Sequence, residues 1–378
     1  MFRSSESAHV GLKAGLFNFK SKLFSDITTV PAILEKSHFP TLDGLRGISI
    51  IIVILNHITK DTPLIRYIDG VIGVQVFFVI SGFLITTLLL KEKIKNKKIS
   101  LKHFYIRRVL RIVPVAYLYL LVIFILNRYF NLEVTFESFL TSIFYLKNLN
   151  IAGDWYTGHF WTLSVEEQFY LLFPFLLKFD LNKYTIICTI LILLFPIIFF
   201  IDNHKVGLFY TNSITPVLIS WFLLLFGQGT VCILVGSLFS ILLFKKIINA
   251  ENFKNGFMAS FLLFAVAVFI NTRSLSIYRP TFTPIIFSII IGIVIIQNLA
   301  WQKNFFAIIL SNRILIRVGI LSYSLYIWQQ LFTYNQPWKN AFKYADSLWL
   351  NIPALFLVAS ASYYLYEKKF LILKNRFK

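Results

Sequence analysis

Apolar residues run in long blocks, such as 186–200, 257–270 and 285–296, and the connectors between them are polar, often basic or proline-containing. Such blocks approach the ~20 residues a helix needs to cross the hydrocarbon core. One buried helix of a soluble fold imitates one block, but not ten in succession. The pattern predicts an all-α integral membrane protein with about ten transmembrane helices. They are expected near 46–61, 71–90, 112–127, 161–177, 184–201, 220–244, 256–270, 284–299, 319–334 and 348–366. Segment 138–149 is apolar but short, which predicts a re-entrant or interfacial piece rather than a crossing. Stretches 202–216 and 271–284 carry the proline and polar residues of turns. There is no repeat of fixed period and no low-complexity tract, so a single membrane domain over 41–370 is expected, between an arm (1–40) and a basic tail (371–378).

Composition sharpens this picture. The chain is 57% hydrophobic and only 14% charged, against about a quarter charged in soluble domains. Lys and Arg number 37 and Asp and Glu 17, a net charge of +20. Such an excess serves either nucleic-acid binding or membrane topology, and its placement decides between them. With a cytoplasmic N-terminus, the inside segments 1–46, 91–111, 178–183, 245–254, 300–318 and 367–378 hold 28 of the 37 basic residues. That asymmetry is topological, so no nucleic-acid partner is expected and both termini are placed in the cytoplasm. Residues 1–40 lack the apolar core and small-residue cleavage site of a signal peptide; a cytoplasmic arm, partly interfacial, is expected. Cys188 and Cys232 fall inside apolar spans without disulfide or metal-ligand spacing, and no metal site is expected.

Ionisable groups within or beside spans are functional candidates by default. Arg46 and His57 are eleven residues apart, about three turns plus ~20° of a helix, so they share one face ~16 Å apart. Imidazole is the side chain suited to moving a proton near neutral pH, although a histidine bonded between helices is the competing reading. Arg107, Arg108 and Arg111 lie at the inner mouth of the third span, with Arg108 and Arg111 on one helical face. Guanidinium forks there suit a phosphorylated ligand, and the alternative is an ordinary basic flank. Glu166 and Glu167 are adjacent, so at most one faces a shared site; either is a candidate to orient His57, bind a hydroxylated ligand or cap a helix. His159 reads as a loop residue, and Gly73, Ser81 and Gly82 as small residues for close helix packing. No G-x-x-x-x-G-K-[ST], H-E-x-x-H or G-x-S-x-G motif is present, which removes phosphate-loop motors and the usual zinc and serine hydrolases.

Five blocks then occur in one order. They are Leu42-Asp-Gly-Leu-Arg-Gly running on to His57, Phe-Phe-Val-Ile-Ser-Gly-Phe-Leu-Ile from Phe77, Arg108-x-x-Arg111, Trp161-Thr-Leu-Ser-Val-Glu-Glu-Gln-Phe-Tyr, and Gly319-Ile-Leu-Ser-Tyr-Ser-Leu-Tyr-Ile-Trp. From about residue 38 to the end, the chain closely resembles the bacterial membrane acyltransferase-3 family. The resemblance implies a ten-helix enzyme of the bacterial inner membrane. It would carry an acyl group, usually acetyl, from cytoplasmic acyl-CoA to a hydroxyl of a carbohydrate at the outer face. O-antigen, capsule, exopolysaccharide or a lipid-linked sugar are the acceptors it leaves open. By motif, His57 matches the essential histidine, Arg46 its paired arginine, and Arg108 and Arg111 the pair that engages the CoA phosphates. His57 is expected to act as general base, an acyl-histidine intermediate being equally open. Gln329 stands where many relatives have His, and Lys369 where Pro is common; neither is expected to touch the chemistry. The dozen residues after the last span leave no room for the appended hydrolase-like domain of some relatives. The alternatives are a transporter or flippase of a sugar-linked lipid, with the intramembrane His, Arg and Glu as relay, and a binding protein without chemistry.

Overall fold

The computed structural model describes residues 21–60, 62, 69–211, 213–254, 256–272 and 277–377, and among them there is no strand. Residues 1–20, half of the expected arm, and 273–276 of an expected loop lie outside the described residues. In chain order the longer helices are α1 (Pro40–Ile58), α2 (Gly70–Asn96), α3 (Leu101–Phe130), α4 (Phe136–Ile143), α5 (Phe160–Phe179), α6 (Leu181–Asn203) and α7 (Ile214–Phe226). They continue with α8 (Gln228–Phe244), α9 (Ala259–Asn271), α10 (Thr283–Ala300), α11 (Arg313–Ile320), α12 (Ser322–Thr333) and α13 (Leu348–Ala361).

Each expected span contains a helix, but not each helix is a full crossing. Among the described residues six stretches are long and apolar enough: α1, α2, α3, α6, α10 and Leu348–Phe377. A seventh arises if α7 and α8, bent by 53° at their junction, count as one broken span. The remaining three of the expected ten fall short. α5 has the length but carries Glu166, Glu167 and Gln168 in its middle, and α9 and α12 have only 13 and 12 residues. Segment 138–149 forms the eight-residue α4 and a single 3-10 turn, too short to cross.

The core is apolar as in a soluble bundle, but the outer surface is apolar as well. Leu193, Ile197 and Leu218 are 63%, 55% and 62% exposed on α6 and α7, a surface that suits lipid and not water. Since lipid gives helices no hydrophobic reason to associate, their contacts rely on close approach and interhelical hydrogen bonds. Both operate between α2 and α8. A Cβ on Gly82 would sit 1.9 Å from the Ile233 carbonyl oxygen, and one on Gly236 2.1 Å from that of Val79. Hydroxyls join the same pair of helices, Thr86 to Ser237 at 2.6 Å and Thr87 to Ser240 at 2.9 Å. α1 and α11 meet in the same way: a Cβ on Gly319 would lie 1.8 Å from the Asp43 carbonyl oxygen.

The basic segments gather at one end. Lys245 donates to the Ser25 carbonyl at 3.1 Å and to Asn182 Oδ1 at 2.6 Å, Lys91 to the Lys36 carbonyl at 3.0 Å, and Arg107 to the Phe377 carbonyl at 2.6 Å. Thus 23–36, the end of α2, the α5–α6 turn, the end of α8 and the C-terminal helix share one face of the bundle. At the opposite end a buried ion pair braces the loop between α4 and α5. Lys147 Nζ lies 2.8 Å from Asp154 Oδ2 and donates to Thr157 Oγ1 at 2.7 Å. This pair holds the single helical turn Trp155–Gly158 against the mouth of the site.

The α1–α11 crossing gives a test. Gly319→Ala is expected to destabilise the protein by about 1–3 kcal/mol through overpacking, read as a lowered melting temperature in detergent. Gly153→Ala, with nothing within 4 Å of the added carbon, is expected to melt with the wild type.

Candidate active site

The polar residues of α1, α2, α3, α5 and α12 line two cavities stacked along the bundle. α1 starts at Pro40, with its proline ring preset for the first turn and Asp43 as the acid that suits a helix N-terminus. Asp43 accepts from Arg46 Nη1 at 3.3 Å and pairs with His38 Nε2 at 2.6 Å. The Asp43 bond leaves Arg46 further donors, and its side chain lines the first cavity.

That cavity, of about 110 Å³, is bounded by Arg46, Arg108, Arg111, Ser81, Glu166 and Tyr170, with Thr162, Tyr323 and Tyr326 at its far side. Three guanidinium groups from two helices therefore face one space beside a single carboxylate. Glu166 Oε1 accepts from Ser81 Oγ at 2.6 Å, and the Arg108 guanidinium lies over the rings of Tyr170 and Phe104 at 5.0 and 5.5 Å. Stacking of this kind holds a planar cation while leaving its edge donors available. The arrangement suits a ligand bearing several negative oxygens.

The second cavity, of about 300 Å³, contains His57, Asn56, Asp154, Trp155, His159, Trp161 and Gln330. Val74 and Tyr326 line both cavities and form the wall between them. The Tyr326 hydroxyl is bonded to Thr162 Oγ1 at 2.7 Å and donates to the His159 carbonyl at 3.1 Å.

His57 Nδ1 lies 2.6 Å from Gln329 Oε1. The neighbours of that amide determine which nitrogen of His57 carries the proton. The Trp155 carbonyl only accepts, so the group facing it at 2.6 Å is Gln330 Nε2. Gln330 Oε1 then faces Gln329, which donates to it through Nε2 at 2.9 Å. Gln329 Oε1 is left towards His57, and only an Nδ1–H completes that bond. Neutral His57 consequently presents an unprotonated Nε2, which has no hydrogen-bond partner among the described residues. The Trp155 ring meets the imidazole edge-on at 5.3 Å and is itself covered by Lys60 at 4.4 Å.

Against the sequence expectations, Arg46, Arg108, Arg111 and Glu166 converge on the first cavity and His57 lies in the second. Arg107 is elsewhere, held by Glu92 at 2.8 Å and by the Phe377 carbonyl, because it is turned about 100° around α3 from Arg108. Glu167 lines neither cavity; its Oε1 is buried without a hydrogen-bond partner. Neither glutamate orients His57; Gln329 does, which corrects the expectation that Gln329 stands apart from the chemistry. Ser81, read as a packing residue, instead bonds Glu166. No signal local to α12 marked Gln329, which shares that helix with Gln330, Ser322, Ser324 and Thr333. For Ser81 the signal was the helical spacing from Val74, which puts both on one face. Among the described residues no cluster of three or more His, Cys, Asp or Glu is arranged to hold a metal.

Comparison with known proteins adds to this geometry. Residues 39–367 match the acyltransferase-3 family, an acyltransferase domain. The chain is 30% identical over 327 residues to the O-acetyltransferase OatA of Staphylococcus aureus strain NCTC 8325 / PS 47, covering 80% of this chain and 52% of that protein. The OatA proteins of strains COL and MRSA252 give the same figures. The chain thus spans about half the length of these relatives. No solved structure matches it. The match runs through all five helices that line the two cavities, and the chain belongs to the acyltransferase-3 family.

Proposed function

We propose that the protein transfers an acetyl group from cytoplasmic acetyl-CoA to a hydroxyl of an envelope carbohydrate at the outer face of the bacterial cytoplasmic membrane. One observation carries this reading: two cavities share a wall, with three arginines on one side and a histidine of fixed tautomer on the other. The relatives are named O-acetyltransferases, which supports acetyl as the group and oxygen as the acceptor atom. The basic end of the bundle is assigned to the cytoplasm by its charge.

In this scheme Arg46, Arg108 and Arg111 hold the CoA phosphates through charge-assisted hydrogen bonds. The pantetheine arm extends ~16 Å along α1, the distance from Arg46 to His57, once the Tyr326 ring swings aside. The acceptor hydroxyl attacks the thioester carbon while Nε2 of His57 takes its proton. The carbon–sulfur bond then breaks, and the proton passes to the thiolate, giving the O-ester and free CoA. A route through an acyl-histidine would use the same nitrogen as nucleophile and the same Gln329 bond. The acceptor is a sugar of an O-antigen, capsule, exopolysaccharide or lipid-linked precursor.

His57→Ala is expected to lower ester formation from labelled acetyl-CoA by at least ~10²-fold at matched protein level, with CoA binding retained; full activity in this variant would refute the mechanism. Arg108→Ala is expected to weaken CoA binding by ~10–100-fold, the value of one hydrogen bond to a charged group, measured by calorimetry in detergent. Gln329→Leu is expected to lower kcat about 10–100-fold with little change in KM for the donor, since an unsupported ring loses its tautomer and aim. Gln329→Glu, which still accepts from Nδ1, is expected to recover most of that loss.

A further inference from the structure

The scheme above leaves one buried histidine unused. His159, the residue preceding α5, is 4% exposed, and both its ring nitrogens are buried without a hydrogen-bond partner. The Ile327 backbone approaches the ring without hydrogen-bonding geometry. Aromatic rings surround it: Phe160 at 5.0 Å, Tyr119 at 5.2 Å and Tyr326 at 5.6 Å between centroids. A neutral imidazole carries one donor and one acceptor, and leaving both unmet in an apolar cage is costly. Such groups in a native interior call for an explanation.

Position supplies one. His159 lines the same cavity as His57. Its backbone carbonyl is tied to the Tyr326 hydroxyl and to Thr162 Oγ1, both at 3.1 Å, so the ring is fixed from behind by the wall between the cavities. On α5, positions 159, 162, 166 and 170 follow helical spacing. The face that bears His159 therefore continues through Thr162 to Glu166 and Tyr170 in the arginine-lined cavity. A group arriving from the arginines meets His159 where it enters the space beside His57.

We propose that His159 is a catalytic residue that donates its ring N–H to the carbonyl oxygen of the acyl group; this rests on the acyl-CoA reading given above. As the acceptor oxygen bonds to the acyl carbon, the carbonyl electron pair moves onto oxygen, and His159 stabilises that oxyanion from a dry, preorganised position. The hydroxyl proton goes to Nε2 of His57 and leaves with the CoA thiolate when the carbon–sulfur bond breaks. The two histidines thus divide the work: His57 handles the proton and His159 the developing negative charge. The orphaned nitrogens become a site awaiting a carbonyl oxygen.

The test uses acetonyl-dethio-CoA, a non-hydrolysable ketone analogue labelled with carbon-13 at the carbonyl, bound to purified full-length protein. His159→Phe keeps an aromatic ring in the cage and removes both nitrogens; His159→Gln restores an N–H. The carbonyl stretch of the bound analogue is expected at lower frequency in the wild type than in His159→Phe, with Gln intermediate. In transfer assays, kcat is expected to fall ~10²–10³-fold for Phe, with KM for donor and acceptor unchanged and partial rescue by Gln. An identical carbonyl frequency in wild type and His159→Phe overturns the assignment while leaving the acyl-CoA reading intact. A raised acceptor KM with unchanged kcat overturns it too, in favour of an acceptor contact. Failure of the wild type to bind the analogue removes the acyl-CoA reading and this assignment together.

Discussion

Three guanidinium groups and a carboxylate lie among apolar helices, where each isolated charge costs at least about 2.5–3.5 kcal/mol. Helices bearing them are stable side by side only if the charges face one another or a polar cavity. Asp43 bonds Arg46, Ser81 bonds Glu166, and the Tyr170 ring stacks on Arg108. The last two contacts draw α2, α3 and α5 around one space that Arg46 of α1 also faces, and the glycine crossings of α1 with α11 and α2 with α8 let the remaining helices close behind them. The cationic cavity is therefore a condition of the fold as much as a feature of the site.

The same constraint explains the separation of the two halves of the site. A continuous polar channel would leak ions, whereas the Val74 side chain and the Tyr326 ring stand between the arginines and His57. The latch is a hydroxyl bonded to another hydroxyl and to a backbone carbonyl, which exchanges partners more easily than an ion pair. Beyond it, the bonds from His57 through Gln329 and Gln330 to the Trp155 carbonyl tie the imidazole to the loop braced by Lys147 and Asp154. The arginine-lined cavity and the His57 cavity are thereby kept apart but linked through one helix face.

Much of this was legible in the sequence. Long apolar blocks locate helices because lipid tolerates little else, and the eleven-residue interval from Arg46 to His57 states by periodicity alone that both look the same way. Crossing number was less legible. Hydropathy does not distinguish a full span from the 13-residue α9 or the 12-residue α12, nor from a helix bent near Gly227, since partial spans are apolar too. Adjacent residues were the other limit. Arg107 and Arg108, like Glu166 and Glu167, are chemically equal in the sequence, and only the rotation of each helix separates the cavity-facing member from its neighbour. The placement of Gln329 and His159 depends on contacts between distant segments, α12 with α1 and the loop before α5 with the His57 cavity, which no local pattern carries.

The central claim is that donor and acceptor approach the site from opposite faces of the membrane. Its most direct test is sealed, right-side-out vesicles containing the protein, given labelled acetyl-CoA either inside or outside, with the carbohydrate acceptor outside only. The account predicts labelled, alkali-labile ester on the external carbohydrate when acetyl-CoA is inside and none when it is outside. Labelling from external acetyl-CoA in intact vesicles, with none from internal, would contradict it.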